Sequence, residues 1–191
     1  MGFFSNIKET IAFRKEMKKL IKAYEEKQIT YRSLSPEEFQ ALPDDELYDA
    51  AVARVEKTIE TFGKEDENIK AALRSLPEPQ RVLYTLDYME REINNGGLCQ
   101  FFVNSSRNVA PFVSESLDAI TAVMHKELFD DFVADNGINV DDLTSFIIYD
   151  VEEFEKQCER YPFDDFDEKF YEYGTFQNTL LNYIKENIEA F

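Results

Sequence analysis

The sequence of 191 residues contains no tryptophan, one histidine, two cysteines, six glycines and six prolines. So few turn-forming residues argue against an all-β chain, because each strand reversal favours glycine or proline. The cysteines, Cys99 and Cys158, show no spacing typical of a zinc site or a disulfide framework. We therefore expect no metal and no cofactor, and we expect thiols that fit a reducing compartment such as the cytoplasm.

Long apolar runs are also missing. No stretch approaches the roughly eighteen apolar residues that a membrane span needs. Charged residues follow directly after the first apolar residues, so we expect no signal peptide. The sequence also lacks the glycine-rich fingerprints of phosphate and dinucleotide binding. These absences predict a soluble, cytoplasmic protein without stable membrane insertion.

Candidate catalytic residues are scarce because any histidine-based triad or dyad would have to use His125. His125 follows Met124 at the C-terminal end of a predicted helix, where the helix dipole favours a cation. We expect a capping or surface role for His125, and we expect Cys99 to pack in the core. Paired carboxylates are so numerous that no single pair stands out. The sequence therefore predicts no catalytic residues and a protein that is not an enzyme.

Acidic residues are in large excess and unevenly distributed. The 39 Asp and Glu residues against 21 Lys and Arg give a net charge of −18. Residues 1–32 are nonetheless basic, with eight Lys and Arg against four Glu, whereas residues 130–172 hold fifteen acids and three bases. Such a surplus repels the phosphates of nucleic acids and favours basic partners. We therefore expect a basic protein partner and no direct binding of nucleic acid.

Apolar residues recur at helical spacing along most of the chain. Val82, Leu86, Met89 and Ile93, for example, follow the i, i+4, i+7, i+11 pattern of one helix face. Ser35 opens a capping box before a short helix. Such patterns predict helices over residues 4–28, 45–62, 65–75, 77–94, 97–104, 126–135, 139–148 and 150–160, and further helices after Pro111 and Thr175. The predicted fold class is all-α, a compact multi-helix domain with an N-terminal basic helical arm.

The predicted arm and its linker occupy residues 1–34, and the acidic α-helical domain occupies residues 35–191. The apolar positions of the arm drift around the helix instead of holding one stripe, and its polar face is basic. Three roles remain open for it: packing on the acidic body, lying on a membrane surface, or binding a partner or a second copy.

The most unusual local sequence is the Asn-Asn-Gly-Gly turn at residues 94–97. Asparagine tolerates the left-handed conformation and glycine accepts it freely, so the chain can reverse sharply here. Gln100 and Asn104, four residues apart, share one face of the following helix. Their amides can either reach Glu92 or bond back to the exposed peptide groups of the turn. Once satisfied, such a polar cluster would fix the geometry of the turn.

The longer string around this turn reads Glu-Ile-Asn-Asn-Gly-Gly at residues 92–97, Gln-Phe-Phe at 100–102 and Asn-Ser-Ser at 104–106. It resembles the signature of the DNA-mimic protein family, and the resemblance covers roughly residues 45–191. It implies an all-α fold and, for the typical member, a homodimer that imitates the charge of duplex DNA and so occupies a DNA-binding protein. We expect the signature itself to be structural; its residues are Glu92, Asn94, Asn95, Gly96, Gly97, Gln100, Phe101, Asn104 and Ser105.

Mimicry of DNA requires carboxylates in rows on a rigid frame, because duplex DNA carries one charge per about 1.7 Å of axis. Glu152, Glu155 and Glu159 have the spacing of one helix face. Acidic pairs supply the rest of the candidate partner-binding surface. Its predicted residues are Asp130, Asp131, Asp141, Asp142, Glu152, Glu153, Glu155, Glu159, Asp164, Asp165, Asp167 and Glu168.

Two alternatives to mimicry remain open. One is a small ligand-binding or hydrolytic domain centred on Glu92, Asn95, Gln100 and Asn104. The other is an immunity or scaffold protein that also binds a basic partner. A pocket containing those four side chains would favour the first alternative, whereas ordered rows of carboxylates would favour mimicry.

Overall fold

The computed structural model describes the backbone of residues 2–63 and 65–191, and the side chains of residues 13–63 and 65–191. The protein is 79% helical, and the described residues contain no strand, so the all-α prediction is confirmed. The α-helices are α1 (Gly2–Tyr31), α2 (Pro36–Gln40), α3 (Asp44–Glu60), α4 (Asp66–Ser75), α5 (Glu78–Val103), α6 (Val113–Ala119), α7 (Val123–Asp135), α8 (Val151–Cys158), α9 (Phe163–Tyr173) and α10 (Gln177–Glu186). Short 3-10 helices cover Ser105–Phe112, Thr144–Phe146 and Ile188–Ala190. Within the described residues, none of the helices has the length and apolar character needed to cross a membrane.

The chain divides into two compact units, the first ending at Arg54 and the second comprising Val55–Phe191. In the first unit the predicted capping box is confirmed. The Ser35 hydroxyl accepts a hydrogen bond from the Glu38 amide at 3.2 Å, and the Glu38 carboxylate accepts one from the Ser35 amide at 2.8 Å. The Arg54 guanidinium donates to the Leu34 carbonyl at 2.9 Å, which holds the segment before α2 against α3.

Helix α1 continues to Tyr31, three residues beyond the predicted end of the arm helix. The Tyr31 side chain is buried, and its hydroxyl donates to the Glu46 carboxylate at 3.3 Å. Phe13, Leu20 and Tyr24 are each more than half exposed. The role of the arm stays a prediction.

In the second unit, α5 forms the centre of the core. Val82, Leu86, Met89 and Ile93 are each at most 2% exposed, so the predicted apolar face is confirmed. Burial of each such side chain contributes about 1.5–3 kcal/mol to folding. Helices α6, α9 and α10 and the 3-10 helix before α6 pack against α5.

Aromatic rings bring α7 and α9 together against α5. The Phe102 ring of α5 lies 6.4 Å from the rings of both Phe129 and Phe163, measured between centroids. The Phe132 ring of α7 contacts Phe166 of α9 edge-on at 5.3 Å. These contacts place the two acidic helices side by side, which determines where their carboxylates meet.

The prediction of a helix over residues 139–148 is wrong. The structure has turns there and one three-residue 3-10 helix. The Asn139 side chain accepts a hydrogen bond from the Asp141 amide at 3.1 Å, and the Asp142 carboxylate accepts one from the Thr144 amide at 3.2 Å. Side chains of this type compete with the helical bonding of the backbone, and here they prevail.

The helix predicted to start at Pro111 begins instead at Val113, after a 3-10 helix that contains the proline. The Ser106 hydroxyl donates to the Phe101 carbonyl at 2.8 Å, and the Asn108 amide donates to the Ser105 carbonyl at 2.9 Å. These side chains satisfy backbone carbonyls directly, which favours the tighter 3-10 turns over a regular α-helix.

Candidate functional site

The Asn-Asn-Gly-Gly turn is a kink within α5. Gly96 and Gly97 leave the helical conformation while the helix continues on both sides. Gly97 has a φ of +79°, in the left-handed region that favours glycine. A Cβ atom at Gly97 would also clash with the Asp167 carboxylate of α9. Gly97 is therefore required both for the backbone conformation and for the close approach of α9.

Helix α9 satisfies the backbone groups that the kink frees. The Leu98 amide donates to the Asp167 carboxylate at 2.8 Å, and the Tyr171 hydroxyl donates to the Ile93 carbonyl at 2.6 Å. A break in a helix leaves amides and carbonyls without intrahelical partners, and unpaired buried groups are costly. The kink is thus held from outside by two side chains one turn apart on α9.

Asp167 departs from the surface role predicted for it. Its side chain is half-buried beneath the kink. Burial raises the pKa of Asp167 to about 6, while the hydrogen bond from Leu98 lowers this pKa and the nearby charge of Asp164 raises it. The reason lies in the tertiary fold, because only the packing of α9 on α5 brings this carboxylate to the freed amide.

Glu92 is the centre of the remaining polar contacts of the turn. Its Oε2 atom accepts hydrogen bonds from the Gln100 amide at 2.8 Å and the Asn104 amide at 2.9 Å. Of the two arrangements that the sequence left open, the structure therefore has the contact with Glu92. These bonds span the kink and tie the helix before it to the helix after it.

The other signature residues divide between surface and core. Asn94 and Asn95 are exposed at the kink, and Ser105 is exposed just after α5. Phe101 is fully buried, and its ring is tilted against that of Phe102, with 5.4 Å between the centroids.

A surface cleft of about 400 Å³ lies beside the turn and is lined by Glu56, Tyr88, Arg91, Glu92 and Asn95. Gln100 and Asn104 are not among its lining residues, because their amides are turned to the Glu92 carboxylate. Arg91 in turn lies 3.1 Å from the Asp87 carboxylate and 3.4 Å from that of Glu56. The four side chains proposed for a ligand site are thus not assembled in this cleft.

His125 lies in the first turn of α7 and is buried, so the expected capping or surface role is wrong. Its Nε2 atom lies 3.2 Å from the Gly174 carbonyl, and the rings of Phe170, Tyr173 and Phe176 surround it. Burial lowers the pKa of His125, and the bond to Gly174 raises it by a smaller amount. These aromatic neighbours give His125 a packing role in the core.

Cys99 is buried, which confirms its expected place in the core. Burial raises the pKa of its thiol, and the neighbouring Cys158 thiol and the charge of Asp167 raise this pKa further. A helix N-terminus can activate a cysteine by lowering its pKa, but at this position desolvation dominates.

The predicted acidic surface is mostly free of internal partners. In the part of the chain that the structure describes, seven of the twelve predicted acids have exposed carboxylates that make no hydrogen bond or salt bridge. They are Asp131, Asp141, Glu155, Glu159, Asp164, Asp165 and Glu168.

Four further predicted acids are exposed or half-exposed but are engaged by the protein itself. Lys126 and Lys156 form salt bridges with Asp130 at 2.6 Å and with Glu152 at 2.7 Å. Asp142 accepts the Thr144 hydroxyl and amide, which lower its pKa, and Glu153 accepts the Tyr149 amide at 2.7 Å. Within the described part of the chain, lysines therefore form salt bridges with only Asp130 and Glu152 of the predicted set.

The structure brings Asp131 and Asp165 together at a cleft of about 430 Å³ between α7 and α9, which we call the acidic cleft. Apolar side chains form the floor of this cleft, and charged side chains form its rim. The lining residues are Met124, Glu127, Leu128, Asp131, Phe132, Asp135, Asn136, Pro162, Asp165, Phe166, Lys169 and Tyr173. Four carboxylates stand against one lysine around this cleft, so its surroundings are strongly negative.

The spacing of these charges can be compared with that of DNA. Glu127, Asp131 and Asp135 repeat every four residues on α7, an axial rise of about 6 Å per charge. One strand of duplex DNA carries a charge every 3.4 Å or so, which makes the α7 row alone about half as dense. Asp165 of α9 adds a fourth carboxylate to the acidic cleft from the neighbouring helix.

Glu127 and Asp135 were missed by sequence reasoning, which searched mainly for adjacent acidic pairs. The signal was present, because both lie four residues from Asp131 on a predicted helix. Lys169, the single base of the acidic cleft, gave no signal, because only the packing of α9 beside α7 places it there.

Comparison with known proteins gave one match. A family model described as DMP19-like protein matches residues 74–187, which is more than half of the chain. This match is compatible with the resemblance to DNA-mimic proteins and does not test the signature string. No curated protein and no solved structure matched the chain.

Proposed function

Because the chain belongs to the family of DMP19-like proteins, we propose that it is an acidic, non-enzymatic interaction protein that binds a basic DNA-binding protein in the manner of a DNA mimic. One observation carries this proposal: the acidic cleft, where exposed carboxylates of α7 and α9 face one lysine. The occupant we propose is a lysine- or arginine-rich surface whose usual ligand is a phosphate backbone.

The apolar floor of the acidic cleft supports this proposal. Phe132 and Phe166 fix the two helices beneath the rim, so the carboxylates of Asp131 and Asp165 are held on a rigid frame. A preorganised array of like charges loses little further entropy when a partner binds. Like charges on one helix face cost about 0.2–0.5 kcal/mol per pair, so retaining the row on α7 has a stability cost.

The signature string supports the same proposal indirectly. We infer that its role is structural: the kink and its Glu92 cluster set the course of α5, against which α9 packs. In this account no signature residue touches the partner. We further infer a cytoplasmic location and a homodimer of the kind that the resemblance implies.

Capture from a native lysate tests the proposal. The immobilised full-length protein is incubated with lysate at low salt, and bound proteins are eluted first with duplex DNA and then with salt. We expect basic DNA-binding proteins in the DNA eluate, because mimic and DNA would compete for one surface. We expect binding to weaken steeply with salt, because it is electrostatic.

The capture is repeated with the double variant Asp131→Asn, Asp165→Asn as the immobilised protein. This variant should retain much less of the basic protein that the wild type captures. Recovery of a basic protein that duplex DNA does not displace would favour the immunity or scaffold alternative. Recovery of no basic protein, or equal recovery by the wild type and the double variant, would count against the acidic cleft as the binding site.

A further inference from the structure

The two cysteines of the chain lie side by side although 59 residues separate them in sequence. Cys99 follows the kink of α5, and Cys158 is the last residue of α8. Both are free thiols, and their Sγ atoms are 2.9 Å apart. Neither the kink nor the proposed partner surface requires this contact.

We propose that Cys99 and Cys158 form an oxidation site, a dithiol that a low-molecular-weight disulfide such as oxidised glutathione converts into an internal disulfide. A disulfide bond is about 2.05 Å long, so the two sulfurs need to approach by less than about 1 Å. The site does not depend on the proposed function.

Exposure determines the order of the two steps. Cys99 is 3% exposed, whereas Cys158 is partly exposed at the end of its helix. The Cys158 thiolate therefore attacks a sulfur of the oxidised glutathione, forms a mixed disulfide and releases one glutathione thiolate. Cys99 then attacks the Cys158 sulfur, which forms the internal disulfide and breaks the bond to glutathione, and the proton of Cys99 passes to the second glutathione as it leaves. Two protein thiols are oxidised, and one small disulfide is reduced to two thiols.

The reaction would tie α8 to the kink of α5. Cys99 is adjacent to Leu98, whose amide is already held by Asp167. Glu155 of α8 and Glu159 directly after it are exposed, and Gln157 is buried with its amide 3.3 Å from the Ser145 carbonyl. Closing the loop of 59 residues would constrain the unfolded chain and restrict the motion of α8.

The full-length native protein is incubated with oxidised glutathione and sampled by intact mass and peptide mapping. The wild type should pass through a transient glutathione adduct at Cys158 and end with two hydrogens lost and a Cys99–Cys158 cross-link. Its melting temperature should rise by on the order of 5–10 °C, and a thiol reductant should reverse both changes. Amides of α8 should exchange more slowly in the oxidised form.

Two variants test the order of the steps. Cys99→Ser should accumulate the stable adduct at Cys158, whereas Cys158→Ser should react at least about tenfold more slowly because its remaining thiol is buried. A stable wild-type adduct that never closes, or disulfides only between two molecules, would overturn the proposal. Equal reactivity of the two variants would overturn the order. The wild-type time course decides the main question even if a serine at the buried position prevents folding.

Discussion

At the scale of single residues, Gly97 permits both the kink of α5 and the close approach of Asp167. It combines a left-handed φ of +79° with direct contact to the Asp167 carboxylate. Gly137 provides a natural comparison, because it has a φ of +61° and nothing within 4 Å of the position that a Cβ would take. Both glycines have a positive φ, but Gly97 combines it with a ψ of 177°, which almost only glycine adopts, and with the clash.

We expect Gly97→Ala to lower the free energy of unfolding by about 2–4 kcal/mol and Gly137→Ala by about 1 kcal/mol, because only the first combines a backbone conformation almost exclusive to glycine with a clash against Asp167. Urea denaturation of both variants beside the wild type measures the difference. Equal losses would mean that neither the ψ of Gly97 nor the approach of Asp167 to the kink adds to the cost.

The residue scale is also where sequence reasoning succeeded and failed most clearly. The glycine turn and the reach of Gln100 and Asn104 to Glu92 follow from local spacing, which the sequence contains. His125 was misplaced because its environment consists of rings from α9 and from the segment after it. No local pattern encodes contacts at that sequence separation.

At the scale of helices, the relation between α5 and α9 organises the second unit. Asp167 and Tyr171 of α9 hold the amide and the carbonyl that the kink frees. The apolar stripe of α5 predicted its burial correctly, because helical periodicity is a local property. The helix expected over residues 139–148 failed because Asn139 and Asp142 bond to the backbone instead.

The raised pKa of Asp167 makes the contribution of its carboxylate to stability depend on pH. With a pKa of about 6 in the fold and about 3.9 in the unfolded chain, Asp167 keeps its proton longer when folded. Its contribution therefore makes the free energy of unfolding fall as pH rises from about 4 to 6, by roughly 2 kcal/mol.

Asp167→Asn keeps an oxygen for the Leu98 amide and cannot ionise. We expect the stability of this variant, relative to the wild type, to increase between pH 4 and pH 7, as measured by urea denaturation at several pH values. Glu168→Gln, a change at an exposed acid of the same helix, should leave that dependence nearly unaltered. A constant difference between Asp167→Asn and wild type across this range would contradict the assigned burial of the carboxylate.

At the scale of the whole molecule, charge is the dominant property, and the sequence alone established its sign and size. The net charge of −18 and the all-α class needed no structure. Helical spacing relates Glu127, Asp131 and Asp135, but the sequence could not place Asp165 beside them, because the packing of Phe132 on Phe166 brings the two helices together. Binding of a cationic partner can therefore depend either on the total charge of the molecule or on the arrangement of carboxylates at the acidic cleft, and the two explanations predict different effects of mutation.

Two double variants with the same net charge separate these explanations. Asp131→Asn with Asp165→Asn removes two carboxylates from the acidic cleft. Glu186→Gln with Glu189→Gln removes two exposed carboxylates at the C-terminal end, outside the acidic cleft. All four positions are exposed, so both proteins should fold as the wild type does, which circular dichroism can verify.

The most direct test of the account is calorimetric titration of the wild type and both double variants with a short polyarginine peptide at low salt. If the acidic cleft binds cationic surfaces, its double variant should lose at least about tenfold in affinity, and the C-terminal variant less than about twofold. Equal losses in both variants would contradict the account, because binding would then follow net charge alone.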